Sequence, residues 1–588
     1  MSRNRGPTRK ENTTDIFVIA IWLGVLSGLL EAFVLSIFWM IPEWLTWQIR
    51  LRNASAEIFW IAPAFDVLLY CGVAALLLVL VKAKERVGFH ARLLNHMNGT
   101  RLALLLFTWM GLYAALTVPG RLTKKAAFVL ALGVALQVVR WLRPRQDALK
   151  SWLRPRAPFA AALVVLLALL IKGGTGLQEQ LAAARLSPAG PGLPNVLLVV
   201  ADTLRADHLS CYGYRRPTSP TIDRVAREGV LFENAFASSS WSPPSHASLF
   251  LGRRVSEHMV DGMEPALGAT YPSLAEEMAS SGYLTGGFSA NLLWVTTRSG
   301  FARGFIHYED YFTNVFDMVN RTVLGKELVN RVISTTGYRN LPGRKSARSI
   351  NRSLLRWLDN HGKRPFFAFL NYFDVHAPYI SPAPFHTRFM TAEQRDGARD
   401  YDFDPDVGGP PKKELAEAAY DGGIAYLDAQ LDDLLKELDV RGLLDDTILI
   451  FTSDHGESFG EKHQFGHGHS LSLELIHVPL IIRYPSAIPA GVRVAPPVTT
   501  RTLAATIGDL TAGEPVQSVF PTPSLRSYWS KSKAAVRKPR YVVSELKGQP
   551  WRPLSEPVSR GSLTSIILPS FQILFQNRRT QIYGLKTG

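Results

Sequence analysis

The chain has 588 residues, 47% of them hydrophobic, and 65 basic against 49 acidic groups give it a formal net charge of +16. That length exceeds one ordinary domain, and the apolar content is high for a wholly soluble protein, so part of the chain belongs in a bilayer. The basic excess crowds between apolar segments of the N-terminal third, which fits membrane topology and not a nucleic-acid-binding face; the two cysteines, Cys71 and Cys211, offer neither a structural disulfide nor zinc-site spacing.

Five apolar segments, at 16–41, 58–82, 102–119, 125–142 and 157–173, each approach the ~20 residues that a spanning helix needs. Arg3, Arg5, Arg9 and Lys10 precede the first. Lys82, Lys84, Arg86, Arg92 and Arg101 separate the second from the third, and Arg140, Arg143, Arg145, Lys150, Arg154 and Arg156 the fourth from the fifth. The alternate loops carry only Arg50 and Arg52, then Arg121, Lys124 and Lys125. The positive-inside rule therefore makes 1–15 a cytoplasmic tail and 16–173 a five-helix anchor, with everything after about residue 174 extracytoplasmic. The first segment is long, lacks a small-residue cleavage site and is followed by four more, so it is not a removable signal. Glu31 and Asp66 fall inside the first two spans, where an ionisable group is either functional or neutralised by neighbouring helices. Gly173–Gly176, a short Ala-rich helix and Ser187–Pro194 form a linker over 174–194.

Asn195–Ala201 is a continuous apolar run of strand length that delivers Asp202 to the edge where open α/β sheets bind ligands. In Ser238–Gly252, Ser242 precedes Pro243 and Pro244, which suit a first helical turn, so Ser242 is either a cap or a nucleophile facing free N–H groups. Ala347–Asn360 and Lys413–Leu438 read as amphipathic helices, and Ser381–Pro411 as a loop. Thr447–Thr452 is a second buried strand, ending in Asp454 and His455. His455, His463, His467, His469 and His477 crowd one short stretch; His463, His469 and His477 read as surface or packing histidines.

Val199–Tyr214, Ser242–Gly252, Phe367–Tyr379, Thr447–Glu457, Gly466–Gly468 and Val478–Pro485 together resemble the sulfatase branch of the alkaline phosphatase superfamily. The anchor ahead of them is similar to that of lipoteichoic acid synthases and phosphoethanolamine transferases. The resemblance implies a mainly parallel α/β sheet sandwiched by helices over 195–515 and a small antiparallel sheet within 516–588, with strands at Tyr541–Glu545, 565–568 and Phe571–Phe575. It also implies Asp202, Ser242, Asp454 and His455 as ligands to one divalent cation, Ser242 as nucleophile, and His467 and His376 as groups contacting the transferred and leaving groups. Gln581–Gly588 resembles a family segment after which many members continue, so the tail here is either short or cut.

Two departures from the family pattern matter. Sulfatases resemble Cys/Ser-x-Pro-Ser-Arg and convert the first residue to formylglycine, whereas here it is Ser242, and His246 takes the arginine's place among the candidate catalytic residues. A sulfated plain serine is difficult to turn over, but a phosphoserine is attacked in line by water or an alcohol, which favours phosphoryl or phosphodiester chemistry. Thr203 stands where many sulfatases carry a second aspartate, shifting the expected cation from calcium towards manganese or zinc. The expected function is a membrane-anchored, metal-dependent hydrolase or transferase acting on phosphate groups of extracytoplasmic lipids or envelope glycans. The alternatives are a sulfatase acting on sulfate esters and a catalytically silent protein binding an anionic polymer.

Overall fold

A computed structural model describes residues 13–41, 55–87, 99–190, 192–261, 267–312, 319–333, 344–361, 364–397, 413–512, 519–530, 541–577 and 579–585. Arg3, Arg5, Arg9, Lys10, Arg50, Arg52, Arg92 and the 398–411 part of the expected loop lie outside the described residues. The chain divides into two units, one of residues 1–180 with 311–343 and the other of 181–310 with 344–588.

The first unit is helical: α1 (Thr13–Met40), α2 (Ile58–Val87), α3 (Gly99–Thr117), α4 (Lys124–Leu142), the short α5 (Gln146–Leu153) and α6 (Ala157–Ala184). Among the described residues, four stretches are long and apolar enough to cross a membrane, the last of them 61 residues running from Lys124 to Ala184. Turns at Arg143–Arg145 and Arg154–Arg156 divide that stretch, so α4 and α6 hold the fourth and fifth apolar segments of the sequence. Helix α6 does not stop at Gly173–Gly176 as the glycines suggest but continues to Ala184.

Small residues bring α1 and α2 together. A Cβ on Gly28 would stand 2.2 Å from the Pro63 nitrogen, and one on Gly24 would stand 2.8 Å from Val67 Cα. This is the close backbone approach that glycine four residues apart allows between apolar helices. Glu31 and Asp66 find partners the sequence does not name. Ser27 Oγ donates to Asp66 Oδ2 at 2.6 Å and accepts from the Tyr70 hydroxyl at 3.0 Å. Glu31 Oε1 accepts the Val323 N–H at 2.7 Å, at the start of helix α7 (Val323–Ile333). Leu324 packs with the cluster around Tyr70 and Phe107, so this excursion belongs with the helical unit.

In the second unit, eight strands form one sheet: β1 (Asn195–Ala201), β2 (Val230–Phe232), β3 (Leu284–Ser289), β4 (His307–Glu309), β5 (Phe366–Tyr372), β6 (Thr447–Thr452), β7 (Leu480–Arg483) and β8 (Val492–Val494). Their order is β8-β2-β7-β6-β1-β5-β3-β4, and only β7 runs against the rest. Strand β1 lies centrally and pairs in parallel with β5 (Val196 with Phe367) and with β6 (Asn195 with Thr447). All of its residues are buried, because helices cover both faces; this is why it reads as a continuous apolar run. Four further strands, β9 (Val542–Leu546), β10 (Leu563–Ile567), β11 (Phe571–Gln576) and β12 (Arg579–Gly584), form an antiparallel sheet in chain order.

Candidate active site

The carboxyl edge of the large sheet collects the functional side chains. Strand β1 ends at Asp202, β6 leads into Asp454 and His455, β5 carries Asn371 near its end, and the turn after β3 carries Asn291. Helix Ser242–Leu251 enters the same place. Ser242 is its first residue, one past the extended Trp241 N-cap, with Pro243 next.

Ser242 Oγ lies 3.3 Å from both Asp202 oxygens and 3.1 Å from His455 Nε2. The His455 Nδ1 donates to the Gly456 carbonyl at 2.9 Å, so in the neutral ring Nε2 keeps its lone pair toward the serine. Asp454 Oδ1 accepts backbone N–H groups of Thr203 (3.2 Å) and His455 (2.9 Å). Its other oxygen, Oδ2, is buried with no hydrogen-bond partner among the described residues, 3.4 Å from His455 Nε2 and from His246 Nδ1. One ligand atom from each of Asp202, Asp454 and His455 lies within 4.8 Å of the others. An orphaned buried carboxylate oxygen beside a bare imidazole nitrogen and a serine hydroxyl is a donor set that fits a divalent cation.

The electrostatics agree with this. Burial, and then the charge of Asp454, push the Asp202 carboxyl well above the usual carboxylate range. Burial acts the same way on Asp454, but His455 and His246 overcome it and draw the carboxyl down. Thr203, between these acids in space, holds a left-handed φ of +62° that β-branched residues avoid, and its buried hydroxyl has no partner among the described residues.

His246 is fully buried and donates from Nδ1 to the Ser242 carbonyl at 2.9 Å, so it braces the first turn of the Ser242–Leu251 helix from behind. His376 and His467 join the site from two loops, their rings 4.9 Å apart, with His467 4.5 Å from the His455 ring. His376 Nδ1 donates to the Ala377 carbonyl (2.7 Å), and His467 Nδ1 donates to the fully buried Glu457 Oε1 (3.0 Å). Both neutral rings therefore carry their lone pair on Nε2. Burial, followed by the neighbouring His467, pushes His376 down to about 3, and burial followed by His455 lowers His467 well below its usual value. His463 is exposed on a turn, while His469 and His477 bond the Gly466 and Glu233 carbonyls, as packing histidines do.

Four contributors escaped sequence reasoning. Asn291 Nδ2 donates to Asp202 Oδ2 at 2.9 Å, and its own N–H is held by Asn371 Oδ1 at 2.8 Å. Glu457 orients His467, and the Arg552 guanidinium reaches the His467 carbonyl at 3.3 Å. Position just past an apolar strand was the available signal for Asn291 and Asn371; Arg552 had none.

Comparison with known proteins agrees with this geometry. The family model described as Sulfatase matches residues 194–513. The multifunctional alkaline phosphatase superfamily protein PehA of Trinickia caryophylli is 26% identical over 354 residues, covering 49% of this chain and 68% of its own. Human iduronate 2-sulfatase is 25% identical over 332 residues, covering 50% of this chain and 60% of its own. The chain thus spans about three fifths to two thirds of these relatives' length. The structure of phosphonate monoester hydrolase SpPMH from Silicibacter pomeroyi superposes with a TM-score of 0.53 at 20% identity, over 67% of this chain and 89% of the other, and so shares its fold. The chain belongs to the sulfatase family of ester hydrolases, within the alkaline phosphatase superfamily.

Proposed function

We propose that the protein is a membrane-anchored, metal-dependent hydrolase or transferase that acts on phosphate or phosphodiester groups of extracytoplasmic lipids or envelope glycans through Ser242. The observation that carries this reading is the serine itself, with His246 in the arginine's place and one buried imidazole among the ligands. Asp202, Asp454, His455 and Ser242 Oγ would hold the cation, which, when bound, lowers the pKa of the serine hydroxyl and neutralises charge on the ester.

The remaining work falls to the protein's own groups. Ser242 Oγ attacks phosphorus in line, forming the O–P bond as the bond to the departing oxygen breaks. His376 and His467 are neutral at rest and carry lone pairs on Nε2; they take up a proton as an anionic ester enters and return one to the departing oxygen. Water or an acceptor alcohol then releases the phosphoserine. Apolar helices joined to the catalytic unit keep such a site within reach of bilayer substrates.

The similarity to iduronate 2-sulfatase leaves sulfate esters as the second reading. The mass of the tryptic 228–253 peptide from purified protein decides between them. Unmodified serine, or serine trapped as a phosphoester, supports phosphoryl chemistry; a mass short by two hydrogens at Ser242 means formylglycine and overturns it. Ser242→Ala should abolish turnover of a phosphodiester with the metal retained, and undiminished turnover would remove Ser242 from the mechanism.

A further inference from the structure

The segment that separates α4 from α6 contains one pentapeptide twice, Trp141-Leu-Arg-Pro-Arg145 and Trp152-Leu-Arg-Pro-Arg156. Both copies fold alike. Each proline sits in a single 3-10 turn, and in each the last arginine folds back over its own tryptophan. Arg145 Nη1 donates to the Trp141 carbonyl at 3.4 Å, with its guanidinium 5.1 Å from the indole centroid; Arg156 Nη1 donates to the Trp152 carbonyl at 3.0 Å, with its guanidinium 4.8 Å away. Trp141 and Trp152 remain 64% and 51% exposed. The copies are eleven residues apart, one on each side of the short helix α5.

Acidic compensation here is sparse. Asp15 pairs with Arg154 at 2.6 Å and Asp147 with Lys150 at 3.6 Å, while exposed Arg143, Arg145 and Arg156 have no carboxylate partner among the described residues. The first turn follows the apolar α4 and the second precedes the apolar α6, which sets both at the polar boundary of any bilayer those helices cross, where tryptophan and arginine meet lipid headgroups. We propose that this segment binds anionic phospholipid, one headgroup phosphate at each arginine-over-tryptophan station. A guanidinium stacked on an indole is held in one orientation, and its fork matches two phosphate oxygens, which an ammonium cannot do. Positive charge that merely sets topology needs neither the tryptophan nor the repeated conformation, and lysine serves it equally.

The test uses the full-length protein reconstituted into phosphatidylcholine vesicles containing a minor fraction of phosphatidylglycerol, then extracted in mild detergent, with retained lipids quantified by mass spectrometry. Wild type should retain phosphatidylglycerol several-fold above its input ratio. The Arg145→Lys, Arg156→Lys double variant keeps the charge and the orientation signal, stays with the membrane through a carbonate wash, and should lose most of that enrichment. Retention at the input ratio by wild type, or equal enrichment in the lysine variant, would overturn the proposal. So would displacement of the lipid by millimolar inorganic phosphate, which would mark a free-anion site.

Discussion

Asp202→Asn separates a metal site from a merely polar pocket. Asp202 and Asp454 are both buried, and one oxygen of each lies within 4.8 Å of the other. Two like charges at that distance repel by about 3 kcal/mol at an effective dielectric constant near 20. Without a cation the fold carries that cost, whether as repulsion or as the uptake of a proton. Asparagine has nearly the same shape, still accepts from Asn291 Nδ2, and removes the cost. Thermal unfolding of the full-length protein in detergent, at pH 7 with a chelator, should therefore find the variant more stable than wild type by up to about 3 kcal/mol. Each kcal/mol moves the midpoint of a chain this large by about 2–4 °C or less. Manganese at a hundredfold excess over its dissociation constant should return about 2.7 kcal/mol to wild type and little to the variant. A chelated variant that unfolds below chelated wild type, or manganese that raises both midpoints alike, would refute the reasoning.

His467→Ala should lower kcat on a phosphodiester by about 10²–10⁴-fold, and Glu457→Gln should lower it less with KM nearly unchanged, because Glu457 acts only by orienting the ring; equal losses in kcat from both would undo that ranking. His258 accepts the Val260 N–H on Nδ1 (3.1 Å) and shares a hydrogen with Ser248 (2.9 Å), so the fold needs it neutral, and burial pushes it down to about 4. Its contribution is present above the unfolded value near 6.5 and is lost as pH falls from there towards 4, amounting to about 2 kcal/mol at pH 5. Urea unfolding of His258→Gln at pH 7 and pH 5 should show a smaller drop than wild type by about that amount. Glu31→Ala leaves the buried Val323 N–H unpaired at about 1–3 kcal/mol. Trypsin should then cut at Arg321 or Lys326 faster than in wild type, and an unchanged rate would mean that the bond holds nothing.

Much of the catalytic unit was legible because its chemistry follows long apolar strands. Asn195–Ala201 and Thr447–Thr452 announce themselves as buried, and an acid follows each within two residues. Ser242 was visible through the two prolines behind it. What escaped was set by tertiary approach. Asn291 reaches Asp202 across the sheet, Arg552 comes from the C-terminal part of the chain, and Glu31 is answered by a backbone amide, which no side-chain pattern encodes. The Ala-rich helix expected after Gly173–Gly176 continues α6 without interruption to Ala184, a continuity that local propensity does not encode.

Because residues 311–343 belong with the helical unit, the chain passes between its two units three times. A single cut in the 185–194 linker would not release a catalytic fragment, since two covalent tethers would still hold it. A recombinant fragment that begins at Asn195 would also carry Leu324 and the Val323 N–H away from the apolar cluster and the carboxylate that receive them, leaving a sticky, half-satisfied excursion in water. A soluble form for crystallisation or inhibitor screening therefore calls for two edits, a start near Asn195 and a short polar bridge from Asp310 to Arg344.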